Sequence, residues 1–195
     1  MKIILASNNK KKIDELKKIL QPLGCEIITQ REAGFDFEAE ETGTTFEENS
    51  AIKAQALHKL CNMTVIADDS GLEVDALNGA PGVYSARYGG EGLSDKQRYE
   101  KLLSELIDIP NKKRTARFVS VITFISKSGE INSFRGECEG VISHIPQGEN
   151  GFGYDPIFLH EGRSFAEIPQ QEKNKISHRA KALEKLAHFI KSEEL

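Results

Sequence analysis

KIILASNNKKKIDELKKILQPLGCEIIT, residues 2–29, changes its period twice. Residues 2–6 form a short apolar run of strand type. From Asn9 onward, Ile13, Leu16, Ile19 and Leu20 fall on one helical face, with Lys and Glu opposite. Pro22 and Gly24 stop that helix, and CEIIT, 25–29, returns to strand. A strand–helix–strand opening predicts an α/β fold.

The same reading extends along the chain. Residues 31–43 are acidic and irregular. Thr44 stands three residues before Glu47, which predicts a capping box for a helix over 46–61, with Ile52, Ala56, Leu57 and Leu60 inward. Val65–Ala67 reads as a strand that ends at Asp68 and Asp69, followed by a long glycine-punctuated loop to Gly90. Ser94 with Gln97 caps a helix that carries Tyr99, Leu102, Leu103 and Leu106. RTARFVSVITFIS, from Arg114, predicts a central strand, and GEINSFRGECEGVISHI a second one with alternating character. IPQGENGFGYDPIF is a glycine-rich loop leading to an edge segment. Ser177 caps a last amphipathic helix with Leu183, Leu186 and Ile190 inward.

At 195 residues, with 38% hydrophobic and 29% charged residues, the chain suits one soluble domain over 1–195. A net charge of −4 argues against a chain that works on nucleic acid. Cys25, Cys61 and Cys138 lie far apart without CxxC spacing, which predicts reduced thiols in a cytoplasmic protein. The apolar stretch at the N-terminus is too short for a signal peptide. No run approaches a membrane span.

Four polar constellations carry chemistry. SNNKKK, 7–12, follows a strand and opens a helix, where free amides and nearby lysines attract anions. The competing reading is a polar cap with solvated lysines. In AEETGTTFEENSAIKA, 39–54, Glu40 and Glu41 precede a glycine turn, a placement suited to a hard cation. Acids near a helix start also simply complement its dipole, and for Glu47 that reading is preferred. Asp68 and Asp69 are the third constellation. Neighbours on a strand point to opposite faces, so one acid is expected in a site and the other in the frame. The fourth joins GFGYDP, 151–156, to EKNKISHRAKA, 172–182. There Phe152 between glycines can stack on a planar base, and Arg179 sits unfavourably at a helix start unless it meets a negative partner.

Together, SNNKKK, EETGTTFEENSAIKA, IADDSGLEVDALNGAPGVYSARYGG, GENGFGYDPIF and ISHRAKAL, in this order, resemble the inosine triphosphate pyrophosphatase family over nearly the whole chain. The resemblance implies a mixed central sheet flanked by helices, with two lobes around a deep nucleotide-binding cleft, in a homodimer. It implies Mg2+-dependent hydrolysis of ITP, dITP and XTP to the monophosphate and pyrophosphate. Carried over by position, Ser7, Asn8, Asn9, Lys10, Lys11 and Lys12 match the triphosphate-binding turn. Glu40 matches a metal ligand, and Asp69 the proton acceptor and a metal ligand. Ser70 matches a substrate contact, Phe152, Gly153, Tyr154 and Asp155 the base loop, and Lys173, His178 and Arg179 further substrate contacts. Lys11 stands where many relatives have glycine, which is compatible only with negative φ.

The residue chemistry is consistent with that expectation. Lys10, Lys12 and Lys53 can balance charge on a transferred phosphoryl group, and Asp69 or Asp68 can orient and deprotonate the water. Arg179 or backbone amides can donate to a 6-oxo group and leave adenine unsatisfied. The rival readings are a pyrophosphatase for modified pyrimidines, a non-enzymatic nucleotide-binding regulator and a nucleic-acid module. The acidic pair argues against the second, and the net charge against the third.

Overall fold

The computed structural model describes residues 1–192. Among these, seven strands form one sheet in the order β2-β1-β3-β4-β5-β6-β7. They are β1 Lys2–Ala6, β2 Glu26–Thr29, β3 Val65–Val74, β4 Thr115–Ile125, β5 Ile131–Ile142, β6 Phe158–His160 and β7 Arg163–Ser164. The helices are α1 Lys10–Leu20, α2 Phe46–Cys61, α3 Asp95–Glu105, α4 Gln170–Ile176 and α5 His178–Ser192. β1 pairs in parallel with β2 and β3, while β5–β6 and β6–β7 are antiparallel, so the sheet is mixed. The fold is α/β, as the opening strand–helix–strand unit predicts. β4 is central, and the edge beyond the glycine-rich loop is the two-residue β7. No helix of the described residues is long and apolar enough to cross a membrane.

The chain divides into two compact units. The first comprises Met1–Asp69, Ser120–Gly136 and Arg179–Leu195, and the second Ser70–Val119 and Glu137–His178. The first unit buries two apolar layers. Ile3, Leu5 and Ile66 pack with Leu16 and Leu20 of α1 and Leu183, Leu186 and Ile190 of α5. Ile4, Ala6, Val65 and Ala67 pack with Ala54 and Leu57 of α2. This is strand alternation at work: odd and even positions serve different helices. The second unit has its own core, with Phe118, Phe158 and Phe165 in mutual ring contact and Leu102 and Leu106 beside them.

Three local expectations need correction. The capping box of α2 is Thr45 with Glu48, one residue later than the Thr44–Glu47 pairing. Glu48 Oε2 accepts from both the Thr44 and Thr45 amides, at 2.6 and 3.1 Å. With the helix so phased, Leu60 is exposed, and Phe46, Ser50, Ala54 and Leu57 form the buried face. Finally, β3 does not stop at Ala67. It runs through the aspartate doublet to Val74. The α4 helix and the burial of Glu15 on α1 were not foreseen from the pattern.

Candidate active site

The continuation of β3 decides what the doublet does. Ile66 faces α1 and α5, so Asp68 does too, and Ala67 faces α2, so Asp69 does too. The contacts follow that parity. Asp68 is fully buried, with Lys12 Nζ of α1 at 2.8 Å and Arg179 Nε of α5 at 3.5 Å. Ser120 Oγ on β4 donates to its Oδ1 at 2.6 Å. Burial alone raises a carboxyl pKa. Here the charges of Lys12 and Arg179 and the hydrogen bonds from Lys12 and Ser120 outweigh it and hold Asp68 well below the usual carboxylate range. Arg179 is also paired with Glu15, which explains both the buried acid on α1 and an arginine at a helix start.

Asp69 meets different partners. Lys53 Nζ of α2 lies 2.8 Å from its Oδ1 and 2.8 Å from Glu41 Oε1. Asp69 Oδ2 is buried and has no hydrogen-bond partner in the protein. Burial, helped by the Glu41 charge, pushes the Asp69 carboxyl up despite Lys53 and Lys12. Lys53, shared by two carboxylates, is held protonated against its own burial. The two adjacent acids thus sit in opposite electrostatic states. One is compensated on every side, and the other keeps an oxygen in reserve.

The remaining first-unit candidates stand at the start of α1 and in the segment before α2. Asn9 caps α1, its Oδ1 accepting from the Lys11 and Lys12 amides at 3.1 and 3.2 Å. Ser7 Oγ accepts from the Asn9 amide, and Gln30 Nε2 donates to Asn8 Oδ1, both at 3.2 Å. Lys10 and Lys11 are exposed. Lys11 lies inside α1 and is not among the positive-φ residues, so no glycine is required there. Glu40 is exposed, and its neighbour Glu41 is the acid tied to Lys53. Glu47 pairs with Arg135, in line with a structural role. Among the described residues no three His, Cys, Asp or Glu side chains group to hold a metal ion by themselves.

Ser70 is the first residue of the second unit, which also carries the glycine loop. Asp155 Oδ2 accepts from the Phe152 amide at 2.8 Å and from Lys173 Nζ at 2.6 Å. The Lys173 ammonium is buried between the rings of Phe152 and Phe165, at 5.2 and 5.4 Å from their centroids. Gly151 has φ +80°, and a Cβ there would stand 2.1 Å from Asp155 Oδ2, so the loop demands glycine at this place. Tyr154 is buried with its hydroxyl donating to Ser85 O at 2.8 Å. His178 stacks on Phe118, with centroids 4.9 Å apart. Asp95, in the first turn of α3, accepts from the Gly153 amide at 2.8 Å. Sequence reasoning missed Asp95, since an acid in a first turn reads as a dipole partner.

The Ham1 family profile matches residues 3–189. The chain belongs to the Ham1 family. It is 49% identical over 191 residues to the dITP/XTP pyrophosphatase of Bacillus subtilis, covering 97% of this chain and 96% of that protein. It is 49% identical over 186 residues to the dITP/XTP pyrophosphatase of Haemophilus influenzae, covering 93% and 95% of the two. The Staphylococcus aureus Ham1 protein superposes with a TM-score of 0.90 at 46% identity, over 99% of this chain and all of that one. The family resemblance read from the five motifs and the Ham1 match agree.

Proposed function

We propose that this Ham1-family chain hydrolyses the non-canonical purine nucleotides ITP, dITP and XTP to the monophosphate and pyrophosphate, and so removes deaminated purines from the nucleotide pool. It is a nucleoside triphosphate pyrophosphatase, a hydrolase of acid anhydrides, the activity named for its relatives. The observation that carries the reading is the split doublet, in which Asp68 is compensated and Asp69 keeps a buried, unpartnered oxygen.

A Mg2+ ion suits these residues. The orphaned Asp69 Oδ2 is a ready oxygen ligand, and Mg2+ takes one or two protein carboxylates while substrate phosphates and water complete its octahedron. Glu40 is the second proposed ligand, beside Glu41, which is tied to Lys53. When bound, the ion screens the phosphate oxygens and polarises the phosphoryl group. Asp69 is the acceptor for the proton of the attacking water. Lys53 holds that carboxylate in place. Lys10, Lys11 and Lys12, with Ser7, Asn8 and Asn9, supply charge and donors for the triphosphate. Arg179 is a further proposed substrate contact, and in this structure its guanidinium is held by Asp68 and Glu15. In the second unit, Phe152 stacks on the base, Gly153, Tyr154, Asp155, Lys173 and His178 shape its recognition, and Ser70 contacts substrate. A cytoplasmic homodimer completes the reading, and light scattering of the purified protein tests the assembly.

Product analysis with ITP, XTP, dITP, ATP and GTP in Mg2+, beside Asp69→Asn, tests the function. The expected result is pyrophosphate from the first three, lost in the variant. Release from all five alike removes the base-recognition reading, and release from none removes the enzyme.

A further inference from the structure

Asn49 is fully buried on α2, yet its amide is only half used. The Gly43 N–H donates to Asn49 Oδ1 at 2.8 Å, whereas Asn49 Nδ2 has no hydrogen-bond partner. A buried, half-satisfied amide in a helix is costly, and asparagine is a poor helix former. Capping does not account for it, because Thr45 and Glu48 already form the box. What Asn49 holds is the backbone just after the Glu40–Glu41 pair. Gly43 lies so close that a Cβ there would meet Glu48 Cβ at 2.6 Å and Asn49 Oδ1 at 2.7 Å. Three consecutive amides, Gly43, Thr44 and Thr45, are accepted by side chains of α2. One helical turn on, Lys53 grips Glu41 and Asp69. Ser50, next to Asn49, donates to Ala67 O at 3.2 Å and accepts from the Thr123 amide at 3.1 Å, which pins α2 to the strand carrying Asp69.

We propose that Asn49 is a positioning residue: through the Gly43 amide it sets the Glu40–Glu41 segment relative to Asp69 for a shared divalent cation. This rests on the metal-dependent reading above. Helix α2 acts as a ruler, fixed to β3 by Ser50 and to the acidic segment by Asn49. A leucine in place of Asn49 would fill the volume but release the segment.

The test compares wild type with Asn49→Leu, Asn49→Ser and Asn49→Asp. Mn2+ binding without nucleotide is read by water proton relaxation. The Mg2+ dependence of ITP hydrolysis is read beside it, and melting in EDTA reports the purely structural part. Leu and Ser variants are expected to weaken Mn2+ binding and raise the half-saturating Mg2+ by about tenfold, with KM for ITP little changed. Asp, which keeps an acceptor for the Gly43 amide, is expected to recover most of both. Wild-type Mn2+ affinity in the Leu or Ser variant overturns the proposal, whatever happens to melting. So does an Asp variant as impaired as Leu. If wild type itself binds no Mn2+ and needs no Mg2+, the metal-dependent reading has failed, and this inference with it.

Discussion

At the scale of single residues, adjacent aspartates carry opposite assignments because strand side chains alternate. Asp68 contributes to stability through its depressed pKa. That contribution is full above the ordinary carboxyl value of about 4 and is lost as pH falls through the lower folded value. Asp68→Asn takes the carboxylate from half-buried Lys12 and from buried Arg179, which keeps Glu15, and is expected to cost about 3 kcal/mol at neutral pH. The melting gap to wild type in EDTA should close as the buffer is taken below about pH 4; a constant gap would contradict the assignment. Asp69 has the other sign. Its raised pKa means that the ionised form costs stability in the metal-free protein, and that cost grows as pH rises through the folded value. Asp69→Asn should therefore melt no lower than wild type in EDTA at pH 7, while hydrolysis falls by about 10²–10⁴. A loss of stability equal to that of Asp68→Asn would show that both acids are structural.

At the scale of elements, caps and tethers decide placement. Thr45 Oγ1 accepts from the Glu48 amide at 3.1 Å, so Thr45→Ala should cost about 1 kcal/mol by urea unfolding. Thr44→Ala, which loses only an exposed hydroxyl bond to Glu48 Oε2 at 3.0 Å, should stay within about 0.5 kcal/mol. The reverse order would restore the register first read from the sequence. The box pattern was legible, but two threonines and two glutamates in series permit either phase. Only the packing of Phe46 and Ala54 chooses between them. In the second unit, Asp95 holds the Gly153 amide from an exposed first turn. Asp95→Ala should raise KM for ITP about fivefold, the worth of about 1 kcal/mol in one hydrogen bond, with melting almost unchanged. An unchanged KM would make the tether incidental.

At the scale of the whole molecule, each unit keeps its own core and its own buried charge. In the second unit Arg114 is almost inaccessible, and its guanidinium donates to Leu106 O, Ile142 O and Ser143 O. Arg114→Leu removes these donors, with Leu106 O still accepting from the Ile109 amide, and should cost ~3 kcal/mol by urea unfolding, with a small loss pointing to water in their place. Arg114 had read only as the start of a strand. The sequence by itself determined the order of the main strands and helices apart from α4, the α/β class, the caps of α2 and α3 to within one residue and the motifs that mark the family. All of these rest on interactions between residues a few positions apart. Tertiary structure alone decided that β3 runs on through Asp68 and Asp69, which local chemistry reads as a turn. It also decided that Lys173 and Glu15 are buried, and that Asn49 accepts from the Gly43 amide beside the acidic segment. A carboxylate can stay inside a sheet only where cations arrive to compensate it. Those that compensate Asp68 and Glu15 come from distant parts of the chain, Glu15 and Arg179 being 164 residues apart.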